Sequence, residues 1–477
     1  MCWAGLLWLA GTHGVTAAIE TEDCRLSSRW LATVSARCGT LSVPENPANP
    51  EGRQIQLFVA LIPALSGTPQ PDPLLLISGG PGQAATDLYL GLRNAFEPIR
   101  RDREIVLVDQ RGTGRSARLA CPSVDAQNLE TAAPDELAAL VADCVTALDG
   151  DPRYYTTSVA VGDLERLRQA LALPEWNIYG ISYGTRVAQH YLRRYPQHTR
   201  AMILDGIAPA ELALGPAIAR NAQNALERIL ARCAAQPLCA KRFPALGERL
   251  ETLSARLAEQ PLTVTMPDPL TGETGARTLS GRHLAAVIRL MSYSSPTAAL
   301  LPLLISEAHA GNYAPLTAQA YMMLGELEQS IAFPMHNSIV CTEDVPFYED
   351  ADLLGLEDTY LGNTIIDALT SVCSVWPVGV LDEDLKAPLI SDRPVLLLSG
   401  EADPITPPSY GAQMLENLQN ARHLVGPGQG HGLAAVGCVP TLLRRFLENI
   451  DLQTLDASCL QRERPTPFFL SFTGPSP

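Results

Sequence analysis

Ser182 lies in Gly180-Ile181-Ser182-Tyr183-Gly184, a G-x-S-x-G pentapeptide that follows a short apolar run and opens a segment of helical spacing. A serine hydroxyl is a weak nucleophile until a histidine takes its proton and a carboxylate holds that histidine in the right tautomer. Two later loops supply both. Asp403 stands in Gly400-Glu401-Ala402-Asp403-Pro404, just after an apolar run, and His431 stands in Gly428-Gln429-Gly430-His431-Gly432, after a second one. Acyl transfer through a serine ester is the chemistry these types perform together. Such transfer needs two preorganised N–H donors for the tetrahedral oxyanion. The backbone of Tyr183, directly after the serine, offers one. Gly80, in Ser78-Gly79-Gly80-Pro81-Gly82, offers the other, because Pro81 has no N–H to give. Among the remaining histidines, His190 and His198 follow the serine too closely to fold back on it, and His423 falls inside an expected strand.

These loops need a scaffold that brings them to one rim. Leu74 to Ile77, Ile105 to Val108, Asn177 to Tyr179, Met202 to Leu204 and Val395 to Leu398 are short, unbroken apolar runs, the pattern of parallel strands buried on both faces. Ile55, Leu57, Val59 and Leu61 alternate instead, as in an antiparallel strand at a sheet edge. Helical periodicity fills several gaps, with Leu164, Leu167 and Leu171 before the serine and Val187, Ala188, Tyr191 and Leu192 after it. This is α/β grammar, and the chain order Ser, Asp, His is that of the α/β-hydrolases. The expected fold is a mostly parallel central sheet flanked by helices, with a large, mainly helical cap inserted. The expected division is a leader at 1–18, a first core part at 19–208, the cap at 209–386 and a second core part at 387–477. The Pro-rich tail after Arg464 carries no evident chemistry.

With 477 residues, 46% of them hydrophobic, a sizeable core is readily buried. The net charge of -16 and the lack of a long Lys/Arg cluster argue against nucleic acid as a partner. No stretch beyond the N-terminus reads as a membrane anchor. No cofactor or metal motif is recognised. Trp3 to Ala10 followed by Val15-Thr16-Ala17-Ala18 reads as a signal peptide with its cleavage site, although no Lys or Arg precedes it; a start lying elsewhere or a buried N-terminal segment stays open. Removing Cys2 with that leader leaves ten cysteines in local pairs, which predicts five disulfides in an oxidising compartment, periplasmic or secreted. Pairing of nearest neighbours is expected: 24 with 38, 121 with 144, 233 with 239, 341 with 373 and 438 with 459. Buried free thiols in a cytosolic protein are the alternative.

Taken together, Ser78 to Gly82, Asp109-Gln110-Arg111-Gly112-Thr113-Gly114-Arg115-Ser116, Gly180 to Thr185 and the Asp403 and His431 loops resemble the prolyl aminopeptidase and tripeptidyl aminopeptidase group of α/β-hydrolase serine peptidases. The likeness runs from about residue 35 to 450. Many prolyl aminopeptidases have His where Ser78 stands and Trp where Tyr183 stands, so the resemblance points to the secreted, tripeptidyl-like branch. Read from the residues, Asp109 and Arg111 are expected to pair and brace the oxyanion loop. The resemblance implies an exopeptidase that releases an N-terminal residue or short peptide from substrates with a free amine. A protonated amine calls for carboxylates in the cap, and Glu343, then Asp344, in Asn337 to Asp344 match the family's segment of Cys followed by an acid. Trp376 and Cys373 are expected to brace that segment. A carboxylesterase with the same catalytic residues is the first alternative and an inactive binding protein the second. Oligomeric state is not legible.

Overall fold

The computed structural model describes residues 19–28, 31–121, 134–269 and 271–475. The expected leader lies outside them. Strands β1 (Thr21–Ser28), β2 (Leu31–Pro44), β3 (Gln54–Ile62), β4 (Leu74–Ile77), β5 (Ile105–Val108), β6 (Trp176–Ile181), β7 (Thr199–Asp205), β8 (Leu262–Pro267), β9 (Thr274–Leu279), β10 (Val395–Gly400) and β11 (Ala421–Gly426) form two sheets. The large one has nine strands in the order β1-β2-β3-β5-β4-β6-β7-β10-β11. From β5 to β11 neighbouring strands are parallel; β1, β2 and β3 join antiparallel.

Every residue of β4, β5 and β10 is buried, because helices cover both faces of the sheet. Successive side chains point to opposite faces. Leu75, Ile77, Val106, Ile178 and Leu397 therefore pack on one side, with helices Thr157–Ala170 and Tyr183–Arg194, whereas Leu74, Leu76, Leu107, Tyr179 and Leu398 pack on the other, with helices Ala85–Arg100 and Val439–Asn449.

The alternating segment 55–61 is antiparallel, as expected, but it is not the edge. Strands β1 and β2 lie outside it. In β1 (Thr-Glu-Asp-Cys-Arg-Leu-Ser-Ser) only Leu26 is buried, so no apolar run marks it; Cys24 is cross-linked to Cys38 of β2. All five expected disulfides are present: Cys24–Cys38, Cys121–Cys144, Cys233–Cys239, Cys341–Cys373 and Cys438–Cys459.

Between β7 and β10 the chain is mainly helical, with one addition that the sequence reading lacked, the β8–β9 hairpin. This region has its own core, built on Leu253, Leu257, Val287, Ile288, Leu301 and Leu304. The chain's tail joins that core through Phe468 and Leu470, and Phe469 N–H donates to Ala299 C=O at 3.0 Å. Helix Phe333–Glu343 goes the other way: Met335 and Ile339 pack into the core of the large sheet. Among the described residues no helix is long and apolar enough to cross a membrane.

Candidate active site

Strands β4, β6, β7, β10 and β11 run parallel, so their C-terminal ends share one rim, the place where open parallel sheets bind ligands. Ser182 sits in the turn from β6 to helix Tyr183–Arg194 with φ 55° and ψ −126°. A non-glycine residue there is strained, and the surroundings must hold it. They do so by close packing. A Cβ on Gly180 would meet Gly184 O at 2.5 Å, and one on Gly184 would meet Ile77 O at 2.4 Å. Ser182 N–H donates to Asp205 C=O at 2.9 Å, tying the turn to the end of β7.

The loop after β4 lies directly against the serine. A Cβ on Gly79 would stand 2.9 Å from Ser182 Cβ and 3.5 Å from its Oγ. Ser78 Oγ closes the loop by donating to Gln83 C=O at 2.6 Å. Gly80 has φ 106°, a conformation open to glycine. Tyr183 opens its helix, where the first N–H groups have no intrahelical acceptor. Gly80, next to the Gly79 that packs on Ser182, and Tyr183, which follows the serine, thus come from two backbones.

His431 Nδ1 and Asp403 Oδ2 are 2.8 Å apart. The carboxylate is fixed on its other sides: Oδ1 accepts from the N–H groups of Ile405 and Thr406 at 2.9 Å each, and Oδ2 from Thr406 Oγ1 at 2.8 Å. The imidazole lies over Gly206, where a Cβ would come within 2.8 Å of its Cε1. Tyr293 stacks edge-on to it at 5.3 Å, and His431 N–H donates to Tyr293 C=O at 2.7 Å. Burial pushes the imidazole's pKa down, but the charge and hydrogen bond of Asp403, aided by Asp205, outweigh this and hold it above the ordinary value.

Asp205 was not singled out from sequence, and it joins the two halves of the site. Its backbone holds Ser182, while its fully buried carboxylate accepts from Leu433 and Ala434 N–H, just after His431, and from Tyr179 Oη. An Asp ending an apolar strand run was the available signal.

Two expectations change. Asp109 and Arg111 do not pair. Asp109 accepts from Thr86 N–H and Oγ1 and from Arg115 N–H, which pins the start of helix Ala85–Arg100 just beyond the loop Ser78 to Gly82. Arg111, fully buried, forms a two-pronged pair with Asp163 at 2.7 and 2.9 Å. Glu343 and Asp344 are not an open amine site either. Both are 0% exposed. Glu343 accepts from Thr157 N–H and Oγ1 at 2.8 Å each, Thr157 Oγ1 is 2.7 Å from Tyr183 Oη, and Arg186 pairs with Asp344 at 2.8 Å and approaches Glu343 at 3.5 Å. Two acids without exposed surface and with their oxygens engaged are a strut under the serine's helix, not a receptor. Trp376 does brace this segment, donating to Ser338 Oγ beside the Cys341–Cys373 bridge.

His190 is buried and bonded to Asp382, and His423 lies within β11, bonded to Ser399. His190, Asp382 and Asp384 are close enough to share a cation, but Arg194 already pairs with Asp382 at 2.6 Å and Arg193 bonds the other imidazole nitrogen. That arrangement repels a metal ion.

With this geometry in view, comparison with known proteins gives two family matches. A family model described as the alpha/beta hydrolase fold matches residues 72–265, and one described as TAP-like protein matches residues 358–459. The chain has the α/β-hydrolase fold. YuaR of Escherichia coli (strain K12), which carries a hydrolase name, is 23% identical to this hydrolase over 92% of both chains. The tripeptidyl aminopeptidase of Streptomyces lividans is 28% identical over 42% of this chain and 40% of its own. The serine protease Hip1 of Mycobacterium tuberculosis (strain ATCC 25618 / H37Rv) is 28% identical over 46% of each. The match to these two peptidases thus spans less than half of their length.

Proposed function

We propose that this α/β-hydrolase is a serine peptidase that removes an N-terminal residue or short peptide, such as a tripeptide, through an acyl-enzyme. The observation that carries the reading is the 2.8 Å bond between Asp403, whose carboxylate is anchored by three further hydrogen bonds, and His431, whose loop is tied through Asp205 to the strained Ser182. Ser182 Oγ attacks the scissile carbonyl as His431 Nε2 accepts its proton; Asp403 steadies the imidazolium. The oxyanion is held by the N–H groups of Gly80 and Tyr183. His431 then gives the proton to the leaving amine, and water, deprotonated in the same way, releases the acyl group and restores the serine. No step needs a metal or cofactor. The relatives' names favour peptides as substrates, and five disulfides suit a periplasmic or secreted enzyme that begins with a cleaved leader.

Labelling by a fluorophosphonate, abolished in Ser182→Ala, tests the nucleophile. A chromogenic tripeptide with a free amine, set beside its N-acetylated form, tests the exopeptidase assignment. Preference for the free amine supports it. Equal turnover makes the protein an esterase or amidase, a reading that the burial of Glu343 and Asp344 favours because it removes the carboxylates assigned to the amine.

A further inference from the structure

The cap contains a cavity of about 1050 Å³ whose charged lining is all of one sign. Arg277, Arg282 and Arg289 line it, and among the described residues that line it there is no Asp or Glu, in a chain whose net charge is -16. Arg277 pairs outside with Asp268 at 3.0 Å. Arg289 differs. Its Nε is buried with no hydrogen-bond partner, and among the described residues none forms an ion pair with its guanidinium. Tyr360, on the same wall, has a buried hydroxyl that is also without a partner. A buried donor left unpaired costs about 1–3 kcal/mol, more when charged, so two in one cavity mark a place that something else completes.

The position of Arg289 relates the cavity to the catalytic rim. Arg289 lies in helix Gly281–Met291, whose C-terminal end leads into Tyr293, the residue that contacts His431 through both its ring and its carbonyl. Its charge reaches Tyr360 and also His336, which bonds the backbone of Pro81 in the oxyanion loop. Leu324 separates this cavity from a second one, of about 460 Å³, lined by Ile331 and Ala332, which pack against Gly80 and Gly82.

We propose that Arg289 and Tyr360 form a carboxylate-binding subsite, so that the preferred substrates are short peptides bearing a carboxylate within the cap. The guanidinium offers a planar fork that matches a carboxylate, and the phenol adds one more donor. That carboxylate is either the peptide's own C-terminus or an acidic side chain. The inference builds on the peptidase reading above.

Calorimetry on full-length Ser182→Ala protein separates these sources with four peptides: trialanine as free acid and as C-terminal amide, and the amides of Ala-Glu-Ala and Ala-Gln-Ala. The carboxylate-bearing member of at least one pair should bind about 10- to 100-fold tighter than its neutral partner. Arg289→Gln should abolish that preference and Tyr360→Phe reduce it, with the neutral peptides unaffected. Preference within the first pair assigns the C-terminus, and within the second a side chain. Equal binding in both pairs overturns the subsite, as does a preference that survives both substitutions. The paired comparison needs no folded variant at Arg289. If none of the four peptides binds, the peptidase reading fails, and the subsite is tested separately through hydrolysis of p-nitrophenyl acetate by the wild-type enzyme. Inhibition by glutarate but not by its diamide, lost in Arg289→Gln, then upholds the subsite, and absence of inhibition overturns it.

Discussion

His431 experiences two opposed forces. Burial disfavours the imidazolium, and Asp403 with Asp205 favours it more, so its pKa is raised. A base with a raised pKa stays protonated to higher pH, and in the proposed mechanism only the neutral form accepts the proton from Ser182. As pH falls, kcat/KM should therefore decline through an inflection above 6.5, the ordinary imidazole value. A pH–rate profile checks this, and a flat rate between pH 8 and 5 removes His431 as base. Asp403→Asn takes away the largest raising influence and the tautomer control together. It should move the inflection down and lower kcat by about 10⁴. Gly206→Ala is a subtler probe. Its φ of 64° already disfavours a side chain, and the new methyl would displace the imidazole, so kcat should fall while fluorophosphonate labelling slows in parallel.

At the scale of elements, the strut beneath the serine's helix is the feature with the clearest consequence. Thr157, Glu343, Asp344 and Arg186 connect three helices behind Tyr183 without reaching solvent. Glu343→Gln keeps the shape and loses one charge beside Arg186 and one of the two oxygens that accept from Thr157. It should lower stability by about 1–3 kcal/mol, measured by urea unfolding, and leave the ratio of free-amine to blocked-amine turnover unchanged. A selective loss of free-amine substrates would restore Glu343 to the binding site. Asp205→Asn acts on the other tie, between the serine turn and the His431 loop. It should lower kcat more than it raises KM, because it shifts catalytic groups rather than a substrate contact.

For the molecule as a whole, each disulfide closes a short local loop, and Cys341–Cys373 joins the end of the Glu343 helix to helix Thr364–Cys373. Replacing both cysteines with serine should cost about 2–5 kcal/mol. Because the bridge sits beside Trp376, the loss should appear as a change in tryptophan fluorescence and a lower urea midpoint, with wild type under reductant behaving alike. The cap is stitched to the rest in both directions: the tail's Phe468 and Leu470 enter its core, while Met335 and Ile339 leave it for the sheet. A cap held at so many points makes Arg289, which has no ion-pair partner among the described residues, more telling, since packing has had ample opportunity to supply it with one.

The placement of the Ser182, Asp403 and His431 loops at strand ends was legible in the sequence because strong local rules govern it. A serine in a strained turn needs glycines two positions to either side, buried parallel strands need unbroken apolar runs, and cysteines in a loop-rich chain pair with near neighbours. The edge strand β1 escaped because Leu26 is its one buried residue, and β2 because its alternation, Val34 and Ala36, then Leu41 and Val43, is interrupted from Arg37 to Thr40. Partnership between distant charges escaped for a different reason. Asp109 and Arg111 are two residues apart, yet one holds Thr86 and the other Asp163; Glu343 looks available in the sequence, yet Thr157 and Arg186 occupy it. A buried charge takes whichever opposite charge or donor the packing presents, and that choice is made by contacts far apart in the chain. Residue types and local spacing therefore determined the chemistry of the rim, while only the tertiary structure decided which charges are spent on the fold and which remain for a substrate.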